Sequence, residues 1–185
     1  MELNQEQADF EKHFRSLVGL CLRKVEYLEI NYHPDKPSPE FLTKYERLHS
    51  IDFAVLLHGD QDPAYLCWDD QFCQFGIGAH YDEMPEVNKG IAWDVSTEKL
   101  WAPFCAQTIT AATVYWESLV MIDPRSGKQH SITYPQSLRL DFDHGKSICL
   151  SAAELPEFEE GVYTMMDNLL VTDDAHLARQ LKLIS

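Results

Sequence analysis

The stretch Leu138-Arg139-Leu140-Asp141-Phe142-Asp143-His144-Gly145-Lys146-Ser147-Ile148-Cys149-Leu150-Ser151 decides the fold. Leu138, Leu140 and Phe142 alternate with Arg139 and Asp141, the period of a strand with one buried face. Asp143-His144-Gly145 is a turn signal, because Asp, His and Gly tolerate left-handed backbone. Ser147 to Ser151 then returns as the hairpin partner. Working outward, Ile109 to Trp116 is a strand rich in Thr, Val and aromatics. It connects through Pro124-Arg125-Ser126-Gly127. Asp167 to Val171 supplies another strand. Thr172 is expected to cap a C-terminal helix with Leu177, Leu181 and Leu183 facing inward.

The same pattern is read upstream. A shift of about 87 residues places Glu11-Lys12 on Glu98-Lys99, Phe14 on Trp101 and Leu17 on Phe104. Leu22 falls on Ile109, Ser50-Ile51 on Ser137-Leu138, Phe53 on Leu140 and Val55 on Phe142. After a slip of one residue, His58-Gly59 meets His144-Gly145, and Leu66-Cys67 meets Ile148-Cys149. The expectation is an α+β protein, mainly antiparallel. It has two tandem β-rich units, 1–87 and 88–185, each preceded by a short helix, in one pseudo-duplicated globule.

Local signals fill in the first unit. Asn4 with Gln7 is a capping box, and Phe10, Phe14 and Leu17 form one helical stripe. Leu20 to Ile30 reads as a bulged strand, and Asn31 to Pro39, with three prolines, as loop. Ile51 to Leu57 reads as a strand, paired with Ala64 to Trp68. In the second unit, Ser96-Thr97-Glu98 caps a short helix ending near Pro103.

Composition restricts function. Of 185 residues, 30 are Asp or Glu against 15 Lys or Arg, a net charge of −15. Such a chain does not complement nucleic acid or an anionic membrane, both of which need a basic face. Its natural complement is a basic protein surface, although the same charge also serves solubility. The polar, acidic start and the absence of any long apolar run predict neither signal peptide nor spanning helix, and so a cytoplasmic protein. Five cysteines without zinc-type spacing read as reduced, mostly buried thiols.

The acid is concentrated. From Arg47 to Lys89 no Lys or Arg intervenes, while Asp52, Asp60, Asp62, Asp69, Asp70, Asp82, Glu83 and Glu86 accumulate. From Lys146 to Arg179 the pattern recurs with Glu154, Glu157, Glu159, Glu160, Asp167, Asp173 and Asp174. Two solvated loop regions, or one acidic face made by pseudo-symmetry, both fit. Aromatics interleave the first stretch. The candidate partner-binding residues are therefore Trp68, Asp69, Asp70, Asp60, Asp62, Tyr81, Asp82 and Glu83, since a ring anchors and a carboxylate steers.

Catalytic and metal chemistry has less to stand on. Three His–carboxylate clusters, around His58, His80 and His144, lack the converging ligand set of a metal site. No HExxH, GxSxG or phosphate loop occurs, and Gly76-Ile77-Gly78 is too short for a dinucleotide fingerprint. No catalytic residue, metal or cofactor is assigned.

The stretch Tyr134 to Glu154, followed by Met166-Asp167-Asn168-Leu169-Leu170-Val171, resembles a hairpin pattern of small bacterial β-rich proteins. Some of these are similar to immunity proteins of toxin systems. The resemblance implies a non-enzymatic binding protein that covers a basic toxin with an acidic, aromatic face. The alternatives are an enzyme, such as a hydrolase, with a site in the cleft between the units, and a structural or oligomer-forming protein.

Overall fold

The computed structural model describes residues 3–30, 32, 35, 37–72, 74–81, 90–156 and 161–184. Its elements are α1 (Gln5–Phe14), β1 (Lys24–Ile30), β2 (Leu48–Ile51), β3 (Ala54–His58), β4 (Ala64–Asp69), β5 (Gly76–His80), β6 (Gly90–Asp94), β7 (Ile109–Ile122), β8 (Gln129–Phe142), β9 (Ser147–Glu154), β10 (Tyr163–Thr172) and α2 (Ala175–Gln180). The strands form two five-stranded antiparallel sheets, ordered β5-β4-β3-β1-β6 and β2-β10-β9-β8-β7. This is the expected α+β class, mainly antiparallel with a helix at each end.

The sheets face one another across a common core. Alternation along each strand aims two residues inward: Val25 and Tyr27, Val55 and Leu57, Ala64 and Leu66, Ile77 and Ala79 from the first sheet. The second sheet contributes Ala112 and Val114, Leu138 and Leu140, Ile148 and Leu150, Leu169 and Val171. Pairing makes these sets correspond. Tyr27 lies opposite Val55, and Val114 opposite Leu138. Leu66 then matches Leu150, and Ala79 matches Val171.

This register differs from the constant sequence shift. Once Tyr27 is equated with Val114, Val55 falls on Leu138 rather than Phe142, and Cys67 on Ser151 rather than Cys149. Loop lengths differ between the halves, so one offset cannot hold beyond the first strand. Nor do the sheets divide at residue 87. β2 pairs with β10, and β6 pairs with β1, so each sheet takes an edge strand from the other half.

Three further expectations are corrected. Ile51 to Leu57 is not one strand: the chain bends at Asp52-Phe53, and the two parts join different sheets. The Asp52 carboxylate holds that corner by accepting the Ile30 N–H (3.0 and 3.1 Å). Residues 96–106 form successive turns rather than a helix, although Trp101 and Phe104 are buried as the stripe required. Helix α2 is capped by Asp174, which accepts from His176 and Leu177 (2.9 and 3.0 Å); Thr172 instead donates to the Arg47 carbonyl.

The remaining local readings have direct counterparts. Asn4 and Gln7 exchange both capping-box hydrogen bonds (2.9 and 3.0 Å). Phe10, Phe14 and Leu17 are buried in the sandwich core. On the outer face of the second sheet, Cys149, Ala153 and Leu170 pack under Ala178, Leu181 and Leu183.

Candidate functional site

The first sheet ends in two short strands, β4 and β5, with α1 beside them. Trp68 lies at the end of β4, half-buried, its ring edge-on to Phe53 (6.0 Å) and Phe75 (5.2 Å). The indole N–H donates to the Asp52 carbonyl (3.3 Å), which fixes the ring's orientation. Asp69 and Asp70 follow directly. These three residues line a groove of about 530 Å³ with Phe53, Cys67, Gln74, Phe75 and His80.

Asp69 joins this groove to a second. Its side chain lies across β5 above Gly78, where a Cβ would sit 2.0 Å from Oδ2. Only a glycine leaves that path open. Oδ1 accepts the Gln71 N–H (3.1 Å), and Oδ2 lies 3.9 Å from His80 Nε2. The His80 nitrogen is shielded from solvent and has no hydrogen-bond partner among the described residues. Burial raises the Asp69 carboxyl above its ordinary range, against the opposing pull of the Gln71 N–H. Beyond Asp69 and His80, the second groove, about 690 Å³, is lined by Gln5, Glu6, Asp9, Phe10 and His13. No Lys or Arg is among the described residues lining either groove. His13 donates through Nε2 to the Ala79 carbonyl (2.8 Å), and Tyr81 donates to the His13 carbonyl (3.0 Å), pinning α1 to β5.

The sequence-predicted residues therefore separate. Trp68, Asp69 and Asp70 converge. Asp60 and Asp62 sit at the opposite end of β4, in a groove shared with Tyr81. Asp60 is paired with Arg23 (3.1 Å) and is partly neutralised. Asp82 and Glu83 lie outside the described residues. Other carboxylates of the acidic stretches have internal partners: Asp52 takes the Ile30 N–H, Asp173 pairs with Arg47, and Asp174 caps α2. Asp52 and Asp167, one from each acidic stretch, lie close enough to interact, while Glu86, Glu157, Glu159 and Glu160 lie outside the described residues. Glu6 and Asp9, from α1, were missed. Their signal was the acidic exposed side of a helix whose other side carries Phe10 and Phe14.

The histidine clusters are explained locally. His58 Nε2 meets Glu26 (2.7 Å), and His144 packs its ring on Phe104 and Phe142. Among the described residues no three or more His, Cys, Asp or Glu converge as a metal site. Burial raises the Cys67 thiol to about 12 and the Cys149 thiol to about 11, so both are thiols rather than nucleophilic thiolates at neutral pH.

A different pocket opens where the sheets meet at one end of the sandwich. Glu29 continues the inward frame of Val25 and Tyr27, so a carboxylate stands where the period calls for an apolar group. It is only 6% exposed. Burial raises its carboxyl to about 7, opposed by the Glu40 N–H and by Trp93, and nearby Asp52 is raised by burial too. Ser50, Trp93 and Asn168 complete the lining. The space is about 160 Å³, enough for a few waters but well below an ordinary ligand pocket.

No helix among the described residues is long and apolar enough to cross a membrane. No family model, curated protein or solved structure matches the chain.

Proposed function

We propose that the chain is a binding protein that captures a basic protein partner on the edge formed by α1, β4 and β5, in the manner of an immunity-type inhibitor covering a cationic toxin. One observation carries this reading: Trp68, Asp69 and Asp70 converge with Phe53 and Phe75 in grooves lined by no described Lys or Arg. Charge complementarity favours an Arg- or Lys-bearing segment as occupant. The half-buried indole offers an apolar platform for its stem or a cation–π contact for its head. Glu6, Asp9, Asp69 and Asp70 would steer the approach.

An arginine-rich peptide, followed by Trp fluorescence, is the probe. Its affinity should fall as salt rises. The double variant Asp69→Asn/Asp70→Asn should weaken it several-fold more than Asp62→Asn/Asp167→Asn, which removes the same charge elsewhere. Equal effects of the two variants would reduce the acidic edge to a general charge effect and defeat the assignment.

A second reading, hydrolysis in the junction pocket, is favoured by Glu29, whose raised carboxyl keeps a proton near neutrality as a general acid must. The small volume of the pocket places this reading second. Against a panel of chromogenic glycoside and ester substrates, any turnover should vanish in Glu29→Gln; turnover surviving that change would remove the pocket from consideration.

A further inference from the structure

β7 and β8 are each 14 residues long. β9 pairs with β8 only from Ser137 to Asp141, Trp116 packs on Phe10 and Phe72, and Tyr134 is buried, so among the described residues the hairpin continues beyond them as a two-stranded ribbon of residues 117–122 and 129–133. The ribbon is well built. Asp123 Oδ1 accepts the Arg125 and Ser126 N–H groups (2.7 and 3.1 Å), and Gly127 supplies the left-handed residue of the turn (φ +68°). Yet two-stranded ribbons are marginal in water without a third partner. This one leaves Val120 63%, Met121 41% and Ile122 59% exposed, three apolar residues in succession on both of its faces.

The other sheet edges are protected. β2 has four residues and is flanked by Phe41 and Leu42, which bond to Ser50 and bridge to His49. β5 and β6 have five residues each, and Gly76 of β5 packs against Pro135 of the other sheet. The start of β7 is covered, because Gly19 and Leu20 bond to Ile109. From Ser118 to Ile122 its outer edge has, among the described residues, no charge, no Pro and no bulge in the pairs formed there; Glu117 at its base is the one charged residue of the segment.

We infer that this ribbon edge is a homodimer interface, formed by antiparallel pairing of residues 117–122 with the same segment of a second copy. Antiparallel edges are self-complementary about a two-fold axis, so one strand serves both sides. Charge selects a second copy over a basic partner. Glu117 and Asp123 are balanced by Arg125 and Lys128, so the ribbon is neutral on a chain of net charge −15. It also carries the contact away from the acidic bodies, whose mutual repulsion would otherwise oppose dimerisation. The inference does not rest on the acidic-edge reading and predicts the opposite salt dependence: screening should strengthen dimerisation and weaken capture of a cation.

Sedimentation equilibrium of the full chain, from low micromolar to submillimolar concentration, tests it. The expected species is a dimer of the 21.3 kDa chain, with a dissociation constant that falls as salt is raised. Val120→Lys/Ile122→Lys should weaken it at least tenfold while the circular dichroism stays that of the wild type. Glu117→Lys, which reverses charge on the same edge and leaves the apolar residues in place, should weaken it less. A wild-type chain that is monomeric throughout, a dimer indifferent to the Val120/Ile122 pair, or open-ended polymers would each overturn the inference. So would a monomer that sediments with phosphatidylglycerol vesicles, which would assign the apolar ribbon to lipid.

Discussion

Two polar clusters that the first sheet helps to build meet opposite fates. At the centre of the sandwich, the Trp101 N–H donates to the Tyr27 hydroxyl, which lies 2.9 Å from His49 Nδ1. The three residues come from the turn segment, from β1 and from β2, so the relay joins both sheets. It is closed to solvent, and burial pushes the Tyr27 phenol well up and the His49 imidazole down to about 4. At the edge, Trp68, Asp69 and His80 are half-buried, and the shielded His80 nitrogen, 3.9 Å from Asp69, has no hydrogen bond among the described residues. Closed polar networks hold a fold in one arrangement. An incompletely bonded cluster beside an open groove leaves capacity for another molecule.

The largest effect should separate the two tryptophans. Trp101→Ala removes a fully buried ring and strands Tyr27, and should cost about 3–5 kcal/mol in urea unfolding. Trp68→Ala should cost less than half as much; equal costs would dissolve the distinction between core and edge. Gly78→Ala should come next, at about 1–3 kcal/mol, because the new methyl displaces the Asp69 carboxylate. Combining it with Asp69→Ala should recover much of that loss, and a simply additive double-mutant cycle would contradict the geometry.

Acidity sharpens the comparison further. Glu29 has a raised folded pKa, so its contribution is fully present below the ordinary carboxylate value and is lost as pH climbs to about 7. His49 has a depressed folded pKa; its contribution is intact above the ordinary imidazole value and is lost as pH falls to about 4. Each should amount to at most about 3 kcal/mol. Thermal melts of Glu29→Gln should therefore gain on the wild type at pH 8 but not at pH 4, whereas Tyr27→Phe should lose stability at both. The smallest stability effect belongs to Asp69→Asn/Asp70→Asn, expected within about 1 kcal/mol of the wild type even as cation capture weakens.

Residues singled out from the sequence stay together where neighbours in the chain are neighbours in space. Trp68-Asp69-Asp70 is contiguous, and a strand end keeps it so. Asp60 and Asp62 lie apart from it, because β4 separates the residues at its two ends. Glu6, Asp9 and His80 reach Asp69 only through the docking of α1 on β5. The short strands β5 and β6 were missed because Gly76, Gly78 and Gly90 weaken any strand signal.

The amino-acid sequence alone determined the antiparallel α+β class, the capping box, the main hairpins and the inward face of Leu138, Leu140 and Phe142. Those follow from periodicity, turn chemistry and local hydrogen bonding, which act over a few residues. Only the tertiary structure decided that β2 and β6 cross to the other sheet, that residues 96–106 bury Trp101 without forming a helix, and that Glu29 stands inside the sandwich. Each depends on partners more than 20 residues away along the chain, where long-range packing outweighs local propensity.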